Sequence, residues 1–359
     1  VKAGDIEVLA AHLSMKTDRP VAIRLSRAED FAFAKRQHET WVDVTSHYTD
    51  EGRILFREGR VTVDNGAFIQ GGSNQMNYCS ILLGSHYRLA GAQIEGRSVY
   101  TNLRPGGAFR GAGGPQAIFA IESQMDEIAA QLGIDPIELR KRNLLPSGSE
   151  TITGWKIATT AAAECLDEVR RRLDWDSARA PGANPDVVRG VGVALAMHVS
   201  GAIVTPATGK AGAVIEIGQN GGVILASGCA DPGTGEYAVI VQLCAKELGI
   251  NPGDIELRAM DTATTPFDPG AGSSRGTMVT GGAILAASRE IAEELRSQAA
   301  EMAGCSAQDV VLSGGSARAG AKEFTLGEVA AAHPLASGGT LRIERETAVS
   351  IPPVPMTHT

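Results

Sequence analysis

Forty-three glycines in 359 residues, against three Trp, five Tyr and eight Phe, set the first limit on what this chain can fold into. Ordering a glycine costs more backbone entropy than ordering any other residue. A chain this rich in glycine is expected to use it where backbone turns with positive φ or approaches something closely. With so few aromatic rings, the core must be built from Ala, Val, Ile and Leu. A hydrophobic content of 43% and a charged content of 21% suit packed domains and exclude a disordered chain, and the length suits two of them. The net charge of -8 excludes a general nucleic-acid binder, which needs a basic face. No apolar run is long enough to span a bilayer, and VKAGDIEVLAAHL lacks the order of a signal sequence, so a cytoplasmic location is expected. Cys79, Cys165, Cys229, Cys244 and Cys305 form no CxxC pair. They are expected as small buried apolar residues rather than a disulfide or zinc framework.

Patterning predicts mixed helix and sheet. Ile6, Leu9, Leu13 and Met15 recur at near-helical spacing until Asp18-Arg19-Pro20 stops them, and VAIRLSR then alternates like a strand. Residues 41–68 read as a meander punctuated by Asp-Glu-Gly, Glu-Gly and Asp-Asn-Gly turns. A helix is expected from about Pro115 to Leu132, closed by Gly133. Asp135-Pro136 opens another, and a third, about Ala161 to Leu173, is expected to bury Leu166, Val169 and Leu173. The polar stretch DSARAPGANPDVVRG marks a boundary between domains at 1–180 and 186–359. Beyond it, GVGVALAMHV, AGAVIEIG and GGVILASG read as strands, the last two joined at Gln219-Asn220-Gly221. A helix ending at Gly249, the strand IELRAMDT and a long helix from about Met278 to Met302 follow.

Three segments share one design, a glycine-rich turn poor in side chains beside a helix: residues 104–116, 231–236 and 269–277. Such turns expose consecutive backbone N–H groups that can hold a phosphate or oxo group, and two of the three carry an internal Arg, which points to an extended anionic ligand. None spells a P-loop, a dinucleotide fingerprint or a nucleophile elbow, so ATP and NAD are poor candidates. The seven histidines lack metal-ligand spacing.

The phrase GAFRGAGGPQAIFAIESQMDEIAAQLGIDPIELRKRNLL closely resembles the molybdenum-cofactor-binding subunit of the xanthine dehydrogenase and aldehyde oxidase family. KTDRPVAIRLSRAEDF is similar to that family's K-T-G-R-P-V strand and R-x-E-D turn. DPGTGEYAVIVQLCAKELGI resembles its G-[QT]-G turn and helix, and DTATTPFDPGAGSSRGTMVTGGAILAA the segment that follows. The resemblance is collinear over residues 1–290 and covers a central portion of the subunit. It implies an α+β fold of two cofactor-binding domains and a molybdopterin with molybdenum, in the cytosine dinucleotide form. The implied activity is oxidation of an aldehyde or aromatic heterocycle with oxygen derived from water. Electrons would leave through iron–sulfur and FAD subunits, and any further molybdenum-subunit chain would be a partner too. It further implies that Phe109, Arg110 and Gly111 lie against the metal's oxo group and that Gly233, Thr234 and Gly235 approach the pterin. Ser273, Ser274 and Arg275 are implied at its pterin and phosphate end, where Arg275 would make bidentate bonds. Tyr78 and Ala112 are weaker candidates for the substrate pocket.

The departures carry as much information. Val1-Lys2 look like the end of the family's G-G-F-G-x-K motif, and no late G-x-G-E motif occurs after Thr277. The general-base glutamate is therefore expected on another segment, with no catalytic residue in this chain. The alternative is a truncated, non-catalytic fragment of the same fold that binds no cofactor by itself. Gly111 stands where carbon monoxide dehydrogenases carry a cysteine, and residues 77–83 lack the arginine that purine hydroxylases place there. Both activities are disfavoured on that ground. An aldehyde, a nicotinate-like heterocycle or an aromatic thioester remains open.

Overall fold

A computed structural model describes residues 5–180, 186–187, 189–199, 209–348 and 356–358. Val1-Lys2, parts of the polar boundary stretch and of the Pro-rich end lie outside the described residues. The architecture is α+β, and the chain divides into two compact units, residues 2–198 with 355–359 and residues 199–354.

In the first unit, helices α1 (Asp5–Thr17) and α2 (Arg27–Phe33) precede the two-residue strand β1 (Arg36–Gln37). Strands β2 (Thr40–Tyr48) and β3 (Ile54–Asp64) form an antiparallel hairpin closed by the Asp50-Glu51-Gly52 turn. Helix α3 (Gly72–Ser85) crosses over to β4 (Gly91–Val99), which lies parallel to β3. The expected meander is thus a hairpin followed by a βαβ unit, and Glu58-Gly59 is no turn. Gly59 lies mid-strand, where a Cβ would sit 2.9 Å from Ile94 Cδ1 and 3.0 Å from Leu83 Cδ1. VAIRL is extended and alternates in burial, but it has no ladder partner among the described residues. Periodicity reports a half-buried extended segment and is silent about its neighbour.

Strand β5 (Gly106–Gly107) pairs with β1, and α4 (Gly114–Leu132) ends at Gly133 in the left-handed conformation. The Asp135 side chain caps α5 (Pro136–Arg142) by accepting from Ile137 N and Glu138 N. Two short strands, β6 (Ser149–Glu150) and β7 (Lys156–Ile157), lead to α6 (Ala162–Leu173) and α7 (Trp175–Ala178). Of the apolar set expected to bury α6, Leu166 does so, but Val169 and Leu173 are exposed. Leu166 packs with Ile137 and Trp175 in a small cluster that covers only one side of the helix. The expected strand GVGVALAMHV narrows to β8 (Met197–Val199).

The second unit is a four-stranded sheet of order β11-β10-β9-β15. Strands β9 (Lys210–Ile217) and β10 (Val223–Ser227) are the expected hairpin. Helix α8 (Glu236–Leu248) crosses to the parallel strand β11 (Ile255–Ala259). A π-helical turn, Gly276–Thr280, feeds α9 (Gly281–Ala303), so the regular helix starts three residues later than Met278. Strands β12 (Val310–Ser313), β13 (Ser316–Ala319) and β14 (Lys322–Thr325) form a meander. Helix α10 (Leu326–Ala332) follows, and β15 (Leu341–Ala348) pairs with β9. The core between sheet and helices is Ala, Val, Ile and Leu with Cys229 and Cys244, as the scarcity of aromatics requires. Cys165 and Cys305 are exposed rather than buried. Of the eight phenylalanines, six (Phe31, Phe33, Phe68, Phe109, Phe119 and Phe267) are 63–76% exposed, so they contribute little to either core.

The first unit is held by a buried polar knot on α4. Glu122 accepts from Arg140 Nε at 2.7 Å, Tyr87 Oη at 2.7 Å, His86 Nε2 at 3.2 Å and the Leu195 amide at 2.8 Å. Burial alone would push its carboxyl up. Hydrogen bonds from His86 and Tyr87 and the Arg140 charge overcome that and bring it down from 4.5 to about 2. A carboxyl depressed by folding stabilises the native state above its unfolded pKa and loses that contribution as pH falls. Stability is therefore expected to drop between pH 4.5 and about 2. Glu122→Gln should cost about 3 kcal/mol at neutral pH, because buried Arg140 loses its buried counter-charge and keeps only the half-exposed Asp126. It should also flatten that acid limb, and urea midpoints measured across pH for both proteins check this.

Candidate functional site

The turn at residues 104–116 is fixed from three sides. Its Gly106-Gly107 pair lies beside β1, and a Cβ at Gly106 would collide with the His38 ring. His38 is buried and points Nδ1 at the Asp64 carbonyl, 2.8 Å away, so that nitrogen donates. Gly111 and Gly113 have φ of +95° and +100°, and Ala112 between them has +42°, a conformation that L side chains adopt at a cost. A Cβ on Gly113 would lie 2.5 Å from the Gln75 carbonyl oxygen, and one on Gly111 would lie 2.6 Å from Pro115 Cδ. Both positions are closed to any side chain.

Within this turn the Ala112 and Gly114 amides donate to Phe109 O and Gly111 O, both at 2.8 Å. The amides of Arg110, Gly111 and Gly113 meet no acceptor among the described residues. They lie at the N-terminus of α4, where amide hydrogens and the helix dipole favour an anion or oxo group. The Phe109 and Arg110 side chains are exposed. Tyr78 lies behind the turn, with its Cε1 3.3 Å from where a Cβ of Gly114 would be. Its hydroxyl is 3.0 Å from His198 Nδ1, with Trp155 a further 6.3 Å ring neighbour. Burial pushes the His198 imidazole below its usual value, so it is the neutral form that meets Tyr78.

In the second unit, the expected anion-binding amides are already in use. Asp231 accepts from Gly233 N and Thr234 N at 2.9 Å, Gly235 N at 3.1 Å and Tyr237 N at 3.3 Å. Partial burial opposes its ionisation, but these four donors prevail and hold the carboxyl below the usual range. What the turn offers outward is bare backbone. A Cβ on Gly233 or Gly235 would meet nothing within 4 Å, and both have positive φ. The third turn is organised by Asp268, which accepts from Arg275 Nη1 at 2.8 Å, Thr280 Oγ1 at 3.0 Å and Gly270 N at 2.7 Å. Arg275, 1% exposed, also donates to the Gly270 and Lys210 carbonyls. Its guanidinium is directed inward and fixes the loop, rather than standing ready for a phosphate as expected from the sequence. Ser273 and Ser274 follow with φ of +58° and +52°, two non-glycine residues in the left-handed region. Glu236 connects the two turns: it opens α8, and its carboxyl presses on the Cα of Gly276, where a Cβ would overlap it. Nothing in the sequence marked Glu236 or Asp268, whereas Asp231-Pro232-Gly233 is a readable Asx-turn signal.

Two family models, both described as a molybdopterin cofactor-binding domain, match residues 1–144 and 168–350. The chain belongs to the molybdopterin cofactor-binding family. It is 33% identical over 313 residues to the xanthine dehydrogenase molybdenum-binding subunit of Escherichia coli, covering 85% of this chain and 41% of that one. It is 29% identical to the aldehyde oxidoreductase of Megalodesulfovibrio gigas, covering 78% of this chain and 31% of that one. The fold is shared with quinoline 2-oxidoreductase from Pseudomonas putida, at TM-score 0.82 and 23% identity over 98% of this chain and 48% of that one. The chain thus spans less than half the length of these relatives. Among the described residues no helix is long and apolar enough to cross a membrane.

The three turns now have a family context. In the first unit the Arg110, Gly111 and Gly113 amides meet no acceptor among the described residues; in the second, Gly233 and Gly235 offer bare backbone and Glu236 Oε1 is buried without a hydrogen-bond partner among them. Gly113→Ala should cost about 1–3 kcal/mol through φ strain and displacement of Gln75. The loss should appear as a lower urea midpoint with helix content retained in circular dichroism.

Proposed function

We propose that this chain is the molybdopterin-holding portion of a molybdenum hydroxylase that oxidises an aldehyde or an aromatic N-heterocycle with oxygen derived from water. The observation that carries this reading is the row of unpaired amides at Arg110, Gly111 and Gly113, presented at a helix N-terminus and kept clear of side chains by glycine. Phe109, Arg110 and Gly111 would hold the metal end. Gly233, Thr234 and Gly235 would support the pterin through bare backbone, and the loop bearing Ser273 and Ser274 would flank its phosphate end. When bound, the group supplies redox chemistry at its metal, and the protein supplies position and hydrogen bonds.

This chain's residues would contribute as follows. Amides preorganised at the start of α4 stabilise negative charge on an oxygen without reorganising, because Gly113 and Pro115 fix the turn beforehand. Asp268 and Arg275 hold each other at 2.8 Å and thereby fix the loop that carries the two serines. Asp231 does the same for the glycine turn. No carboxylate of this chain is assigned as the general base. Tyr78, Trp155 and His198 form an aromatic group with Tyr78 against the α4 N-terminus. A flat, weakly polar substrate suits that surface better than a purine, which needs a cationic anchor that Tyr78 does not provide. Electrons would pass to iron–sulfur and FAD partner subunits, and the cytosine dinucleotide is the expected cofactor form.

Metal analysis and nucleotide release on the chain purified with its co-purifying chains test this reading. Molybdenum and a pterin dinucleotide are expected, and their absence would sink it. Arg110→Pro, which removes the amide donor, should lower turnover about tenfold or more, as loss of a preorganised contact does. Gly111→Val should lower cofactor content itself, since its side chain has no room beside Pro115. Full turnover with normal cofactor in both variants would refute the assignment of this turn.

A further inference from the structure

Three segments of the first unit, residues 27–37, 64–69 and 99–110, are tied together by hydrogen bonds. Arg104 Nη1 donates to the Phe31 carbonyl, the Ala67 amide to Leu103 O at 2.9 Å and the Thr101 amide to Gly66 O at 3.1 Å, and β1 pairs with β5. The three backbones are thus held in one region. Yet Phe31, Phe33, Phe68, Ile69 and Leu103 leave large apolar side chains in solvent there, at 50–73% exposure. Apolar residues exposed singly are ordinary, but five on three joined segments mark an interaction surface. Three phenylalanines and two aliphatic side chains exposed to this degree present about 600 Å² of apolar surface. A standard interface covers about 800 Å² on each partner, a little over half of it apolar, so this face alone supplies the apolar share of one.

Charge decides what fits the face. Of the acidic side chains on these segments, Asp30 is paired with Arg27, Asp64 with Arg36, and Glu29 is tied into the α2 cap. Lys35, Arg104 and Arg110 have no carboxylate partner among the described residues, although the chain as a whole carries a net charge of -8. A second copy brought face to face would set these cations against their own counterparts, and like-charge juxtaposition disfavours that contact. An acidic partner turns the same cations into attraction.

We propose that this face binds a different protein chain, through a contact surface that is apolar at its centre and acidic at its rim. Phe31 and Phe33, at the end of α2, are the anchors, since buried aromatic side chains dominate the energy of such contacts. The inference stands on the face itself and goes beyond the molybdopterin reading.

The test uses the full chain isolated with its co-purifying chains, which are identified and then produced separately for titration. Hydroxyl-radical footprinting reads the face directly, because exposed phenylalanines are oxidised and covered ones are spared. Oxidation at Phe31, Phe33 and Phe68 is expected to fall severalfold in the complex. Phe31→Ser combined with Phe33→Ser should raise the Kd for the partner about a hundredfold. Circular dichroism should stay unchanged, because α2 contributes no buried residue to the fold. Lys35→Glu should raise the Kd about tenfold and make it less sensitive to salt. Undiminished oxidation in the complex, or wild-type affinity in the double variant, overturns the proposal. So does protection of the same phenylalanines in the chain alone at doubled mass, since the occupant would then be a second copy. A wild-type chain that isolates with no other chain overturns it too, and a Kd indifferent to both salt and Lys35→Glu overturns the acidic character assigned to the partner. Cofactor content enters none of these readouts, so a chain without pterin would overturn the molybdopterin reading and leave this inference standing.

Discussion

The Glu122 carboxylate is the interaction on which the first unit depends. It gathers the end of α3 through His86 and Tyr87, α5 through Arg140 and the chain at Leu195 onto a single point of α4. That point is about two helical turns from Gly114. The open amides of Arg110, Gly111 and Gly113 are the lead-in to the same helix, so this buried ion pair fixes where those amides stand. Replacing such a pair with apolar groups can be tolerated elsewhere, but breaking it leaves a charge stranded. The Arg140 guanidinium also reaches Asp126 at 2.9 Å and the Pro136 carbonyl at 3.1 Å, so its loss would loosen both ends of the helix pair.

The glycine-rich turns solve one problem in two ways. Before α4 the turn leaves the Arg110, Gly111 and Gly113 amides without an acceptor among the described residues, and the necessary rigidity comes from Gly113 against Gln75 and Gly106 against His38. Before α8 the chain supplies its own anion, Asp231, and the turn is rigid without a ligand. The first arrangement can interact electrostatically with something that binds, and the second can only offer shape.

Most of the helices were legible because their punctuation is local: Gly133, Gly249 and Gly304 are left-handed caps, and Asp135-Pro136 is a side-chain cap followed by a fixed φ. What failed was whatever depends on a distant partner. VAIRL alternates like a strand but finds no ladder, Val169 and Leu173 keep helical spacing but face outward, and Glu58-Gly59 reads as a turn until Ile94 and Leu83 are seen across it. At the candidate site, the glycine positions and Phe109 to Ala112 could be located from the motif. The role of Arg275 could not, because an arginine in a glycine loop looks the same whether it faces a phosphate or a buried aspartate. Nor could Glu236, whose surroundings come from residues five positions before it and 32 to 40 positions after it.

The six exposed phenylalanines have a consequence for how this chain behaves by itself. Each ring leaves apolar surface in water, and the extended segment at residues 21–25 has no ladder partner among the described residues. Where molecules that open on heating meet one another through these groups before they refold, unfolding becomes irreversible. The working durability of the isolated chain is then a rate, and an apparent melting point will move with the speed of the scan.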